Sequence, residues 1–151
     1  MKGIYVILIE LDEAKDILVG KKGRFDFQKG CYGYVGSALS GLERRLGRHL
    51  SSIKKPHWHI DYLLSTAETQ NIIYAETAER KECTLAQTLS QRLPAIGGFG
   101  CSDCKCPSHL FFCKDKKPLE KLVFDAFRSL ELHPFAFVTV NSAGRYADSA
   151  R

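Results

Sequence analysis

Lys2 to Asp12 (KGIYVILIELD) does most to limit what this chain can fold into. After Gly3 the run has no breaker, and its β-branched, aromatic and large aliphatic residues read as a buried strand. Such a strand needs partners, and two follow in the sequence. Ile17 to Gln28 carries Gly20 and Gly23 between short apolar stretches, which suggests a hairpin, and Cys31 to Gly36 (CYGYVG) reads as the next strand. The chain is therefore expected to open with an antiparallel sheet.

Helical periodicity begins at Gly41–Ser51, where Leu42, Leu46 and Leu50 form one apolar stripe and Ser40 is placed to cap it. After the Lys54-Lys55-Pro56 break, Trp58–Leu64 suggests a second short helix and Asn71–Thr77 a strand. Lys81–Leu93 reads as a helix ended by Pro94, with Gly97, Gly98 and Gly100 beyond it. His109–Cys113 is strand-like, and Pro118–Leu130 is an amphipathic helix with proline in its first turn. Phe135–Val140 suggests a last strand. With no internal repeat and no linker, the expectation is an α/β (α+β) fold: a small central sheet, mixed but largely antiparallel, flanked by helices. One domain would span residues 1–140, and the small, polar residues 141–151 read as a loose tail.

Composition adds limits on function. The chain has 151 residues, 44% of them hydrophobic and 26% charged, which suits one soluble globular core. No apolar run is long enough to cross a bilayer and the N-terminus carries no basic leader, so the expected location is cytoplasmic. The six cysteines are then expected to be reduced thiols or metal ligands rather than a disulfide framework. The net charge of +5 is concentrated between Gly41 and His59, where Arg44, Arg45, Arg48, Lys54 and Lys55 face a single Glu43. Such a segment suits phosphate contacts, and it equally suits a solvated helix face.

Gly3-Ile4-Tyr5 opens the first strand, and Tyr34-Val35-Gly36 lies in a later one followed directly by a basic helix. In that order the two tripeptides resemble the GIY-YIG nuclease pattern. The runs YVGSALSGLERRLGRH, WHIDYLL and GFGCSDCKCPSHLFF resemble, more narrowly, a small uncharacterised DUF123-like subfamily, some members of which are fused to base-excision repair enzymes. The resemblance covers nearly the whole chain up to about Phe135. It implies a metal-dependent DNA endonuclease, with DNA and a repair protein as partners and one Mg²⁺ or Mn²⁺ ion as cofactor. Tyr5, Tyr34, Arg45, His49 and Glu82 are the implied catalytic residues. Tyr5 is favoured to activate water, Arg45 to hold the scissile phosphate and Glu82 to bind the metal. Two departures stand out: Tyr5 and Tyr34 are much further apart than the family spacing, and no asparagine follows Glu82 at the family distance.

The same residues can be read without the family. Arg45 and His49 are one helical turn apart, so both can enter one cleft. An arginine fork matches phosphate oxygens and stays charged as negative charge grows during phosphodiester cleavage. Leu85, Ala86, Leu89 and Leu93 follow Glu82 at helical spacing, which puts this carboxylate on an apolar helix face, where a divalent cation would offset its desolvation. A first-turn glutamate favoured by the helix dipole is the structural alternative, and Glu79 is the fallback if the register differs. A phenol titrates near 10 in water, so Tyr5 or Tyr34 could act as a base near neutral pH only with help from neighbouring charges. Gly36, Ser37, Arg44, Arg48, Lys54, Lys55, His57, Trp58 and His59 are the candidate nucleic-acid contacts, with Trp58 suited to base stacking.

Cys101, Cys104, Cys106 and His109 offer three thiolates and one imidazole within a short stretch. That set suits a structural Zn²⁺, although structural zinc sites usually draw ligands from two separate places, and reduced thiols in a tight loop fit as well. Asp103 and His109 could instead take the place of the missing asparagine. Two other functions remain open: a non-catalytic nucleic-acid-binding module with a zinc-stabilised loop, and an RNA nuclease with the same site.

Overall fold

A computed structural model describes residues 1–38, 41–50, 59–101, 104–140 and 145–150. Strand β1 (Gly3–Leu11) is buried along almost its whole length, as its unbroken apolar run requires. On one side it pairs with β4 (Gly30–Ala38) and on the other with β5 (Glu68–Glu76), both antiparallel. β6 (Leu110–Cys113) extends the sheet beyond β4, and β7 (Phe135–Val140) and β8 (Arg145–Ala150) extend it beyond β5. The order is β6-β4-β1-β5-β7-β8, and every described pairing is antiparallel. The expected α/β class holds, without any parallel pair among the described strands. Within the tail expected at 141–151, Arg145–Ala150 form β8, which pairs with β7 and satisfies backbone groups that would otherwise stand unpaired on a sheet edge.

Alternate residues of β1 enter two cores. Ile4, Val6 and Leu8 pack with Leu85, Ala86 and Leu89 of α3 (Glu82–Ser90) and with Leu119, Val123 and Phe127 of α4 (Lys116–Ser129). Tyr5, Ile7 and Ile9 pack on the opposite face with Leu42 and Leu46 of α1 (Leu42–Leu50) and with Ile60 and Leu63 of α2 (His59–Leu64). A sheet covered on both faces can carry a nearly continuous apolar central strand.

The inserted hairpin is present as β2 (Lys15–Leu18) and β3 (Arg24–Phe27), joined through a single 3-10 turn. Gly20 and Gly23 take φ of +49° and +97° there, a region that side chains disfavour. The hairpin lengthens the chain between the two tripeptides without separating them in space. Ile7 pairs with Tyr34 and Tyr5 with Gly36 across the β1/β4 ladder.

Candidate functional site

Tyr5 and Tyr34 arise from neighbouring strands and point to the same sheet face, where α1 closes over them. Gly36, directly across from Tyr5, lacks a side chain for a steric reason: a Cβ there would lie 2.4 Å from both Cζ and the hydroxyl of Tyr5. Gly36 was expected as a nucleic-acid contact, yet it is buried and makes room for the phenol. Gly3 is constrained in the same way, with Ala75 O 2.3 Å from where its Cβ would be.

Helix α1 brings two of the expected residues to the Tyr5 hydroxyl. The hydroxyl lies 2.7 Å from His49 Nε2, and both residues are buried. Arg45 hydrogen-bonds the same phenol and also donates through Nη1 to Ser37 O at 3.1 Å. Since a guanidinium only donates, the Tyr5 oxygen accepts from Arg45, while the imidazole tautomer sets which partner donates in the Tyr5–His49 contact. Burial, above all, raises the Tyr5 phenol well above its ordinary value; Arg45 pulls it down, while Glu82 and Asp61 push it up. Tyr34 is raised for the same leading reason, with Tyr5, Asp61 and Glu82 adding to the rise.

Glu82 is the first residue of α3 and is half-buried, with the Leu85, Ala86, Leu89 and Leu93 face directed into the core. Its charge acts on Tyr5, Tyr34 and His109, so it shares their neighbourhood. Glu79 is exposed and pairs with Lys81 at 3.4 Å, so α3 keeps the register that favours Glu82.

The basic segment divides. Arg44 is exposed on α1. Arg48 is held by a two-pronged ion pair, Nη1 to Asp61 Oδ1 at 2.8 Å and Nη2 to Oδ2 at 2.9 Å, with the Asp61 carboxylate fully covered. This pair ties α1 to α2. His59 accepts the Gly100 N–H at Nδ1 (2.9 Å), and burial, followed by the charge of Lys22, lowers its pKa. Lys54, Lys55, His57, Trp58 and the Ser40 cap lie outside the described residues, as does Asp103.

The cysteine cluster needs one correction. Cys83, Cys104, Cys106 and His109 present ligand atoms that all lie within 4.8 Å of one another, and this Cys3His group can hold a metal ion. Cys101 is not part of it; its thiol lies 3.7 Å from Pro107 O. Cys83 is far from the other three ligands in the sequence, and only the approach of α3 to the loop before β6 brings it in. Its position beside Glu82 was the available signal. His109 Nε2 lies 3.4 Å from Cys104 Sγ and 3.8 Å from Cys83 Sγ, so this ring faces the thiols. Burial and the neighbouring Cys106 and Cys104 push the Cys83 thiol up to about 12. Burial also lowers the His109 imidazole, against the pull of Glu82.

Together these features define a small α/β domain, a sheet with helices on both faces, whose central tyrosines meet an arginine–histidine helix on one side and a glutamate and a metal-ligating cluster on the other. The chain matches the family described as Domain of unknown function DUF123 over residues 4–132 and belongs to that family. No curated protein and no solved structure matches it. Among the described residues no helix is long and apolar enough to cross a membrane.

Proposed function

We propose that this domain is a GIY-YIG-type endonuclease that hydrolyses DNA phosphodiester bonds with one Mg²⁺ or Mn²⁺ ion at Glu82, in repair or processing of DNA in the cytoplasm. The observation that carries the reading is the hydrogen-bond chain from Arg45 through the Tyr5 hydroxyl to His49, with the Glu82 charge close to both phenols. Tyr5 alone offers almost no phenolate to act as a base near neutral pH, because burial holds it protonated. The chain supplies a remedy. As a water oxygen attacks phosphorus, its proton passes to the Tyr5 oxygen while the Tyr5 proton moves to His49 Nε2. The bond to the leaving sugar oxygen breaks, and that oxygen takes a proton from solvent. In this reading Arg45 meets the charge that grows on the phosphoryl oxygens. A divalent cation on Glu82 would supply Lewis-acid stabilisation of the same charge. The Cys83–Cys104–Cys106–His109 cluster accompanies this site as a structural Zn²⁺ centre, since three thiolates and one imidazole form a zinc donor set.

The test is incubation of plasmid, branched and damaged DNA with Mg²⁺ or Mn²⁺, comparing wild type with Arg45→Ala and Glu82→Ala. Metal-dependent nicking that both substitutions remove is the expected result, and equal cutting by wild type and both variants would overturn the site.

A second reading has its own support. Tyr5 is 1% and Tyr34 8% exposed, which is how phenols in a purely structural network would be placed. The domain would then be a nucleic-acid-binding module without chemistry. Binding unchanged in Glu82→Ala, with no nicking of DNA or RNA, selects that module; cleavage confined to RNA selects an RNA nuclease with the same residues.

A further inference from the structure

The metal-ligating groups reach their cluster from two separate stretches of chain. Cys83 is the second residue of α3 and the neighbour of Glu82. Cys104, Cys106 and His109 come from the segment that leads into β6. That segment is bonded to the phenol site. The His109 N–H donates to Phe99 O (2.8 Å), and the His109 carbonyl accepts the N–H of Val35 (2.9 Å), next to Tyr34. Gly100, at φ +73°, lies so close to Tyr34 that a Cβ would sit 2.7 Å from its ring. The first turn of α3, by contrast, has no side-chain cap, since Lys81 makes no capping hydrogen bond.

We propose that Cys83, Cys104, Cys106 and His109 bind one zinc ion, and that this ion clamps the first turn of α3 to the sheet edge so that Glu82 is held beside Tyr5 and Tyr34. Tetrahedral zinc with Zn–S of about 2.3 Å and Zn–N of about 2.0 Å requires sulfur–nitrogen edges of about 3.5 Å. The two edges at His109 Nε2, 3.4 and 3.8 Å, bracket that value. The ligands are soft donors that select zinc, whereas Glu82 offers hard oxygen donors suited to Mg²⁺, so the two ions would not compete for one site. The part played by Glu82 rests on the nuclease reading; the zinc site and the clamp on α3 do not.

The experiment measures zinc content by elemental analysis and backbone amide exchange on the full chain. Wild type and Cys101→Ser should carry about one zinc per chain, and Cys83→Ser and Cys104→Ser should lose it. Retention of zinc by Cys83→Ser, or its loss only in Cys101→Ser, would overturn the ligand set. Because a cysteine variant can fail to fold, wild type is also stripped with a zinc chelator that binds Mg²⁺ weakly, then reloaded. Exchange at Leu85–Leu89 should accelerate on stripping and recover with zinc, while unchanged exchange there overturns the clamp. If zinc and exchange behave as expected and no nucleic acid is cut, the nuclease reading fails by itself.

Discussion

The hydroxyl of Tyr5 and Nε2 of His49 lie 2.7 Å apart in a buried contact between the first strand and the first helix. The two residues should act as a unit. Tyr5→Phe and His49→Ala are each expected to lower metal-dependent nicking by about 10²-fold or more, the usual range for a general acid–base group. The double variant should be little worse than either single one. Additive losses in a double-mutant cycle would show that the proton does not pass between them.

Two glycines separate a steric requirement from a conformational one. Gly36→Ala would push a methyl group into the Tyr5 ring and should cost about 1–3 kcal/mol, with nicking lost alongside. Gly47→Ala, on α1 with no neighbour within 4 Å of the added carbon, should instead stabilise by about 0.5–1 kcal/mol. Urea midpoints of both variants decide this. A neutral Gly36→Ala would mean that the phenol does not pack where the ladder puts it.

Arg48 was an expected nucleic-acid contact, and its pairing with the covered Asp61 carboxylate points to a different principal role. Removing one partner of a buried pair strands the other, so Arg48→Ala should lose about 3 kcal/mol or more of stability. The salt dependence of DNA binding should change little. If instead stability holds and the salt slope drops by about one, Arg48 contacts phosphate.

Alkaline pH should unfold this domain early. Tyr32 is pushed up to about 12, chiefly by burial, and Tyr5 and Tyr34 still higher, whereas in the unfolded chain a phenol titrates at 10.0. Above that value the unfolded state releases protons that the native state retains, so stability falls as pH rises, by about 1.4 kcal/mol per pH unit for each phenol. Below pH 10 the three contribute no such slope. Urea titrations between pH 9 and 11.5, with phenolate absorbance followed in parallel, test the claim. A flat midpoint with early phenolate formation would contradict the burial of these rings.

Apart from β8, the main elements were legible in the sequence because each depends on neighbours within a few residues. The unbroken apolar run of β1, the leucines recurring every four residues along α1 and the glycine-marked hairpin state their own conformations, and their order is enough to suggest the paired tripeptides. Cys83, Asp61 and His49 show what local pattern cannot carry. Cys83 joins His109, Asp61 takes up Arg48, and Tyr5 meets His49 across 44 positions of chain, only because the sheet and its covering helices close together. The sequence by itself therefore determined the elements and the residue types available for chemistry. Tertiary structure decided which thiol completes the metal cluster, which arginine is used in packing and which imidazole meets the phenol, because those choices follow from the summed burial of two apolar cores rather than from any local spacing.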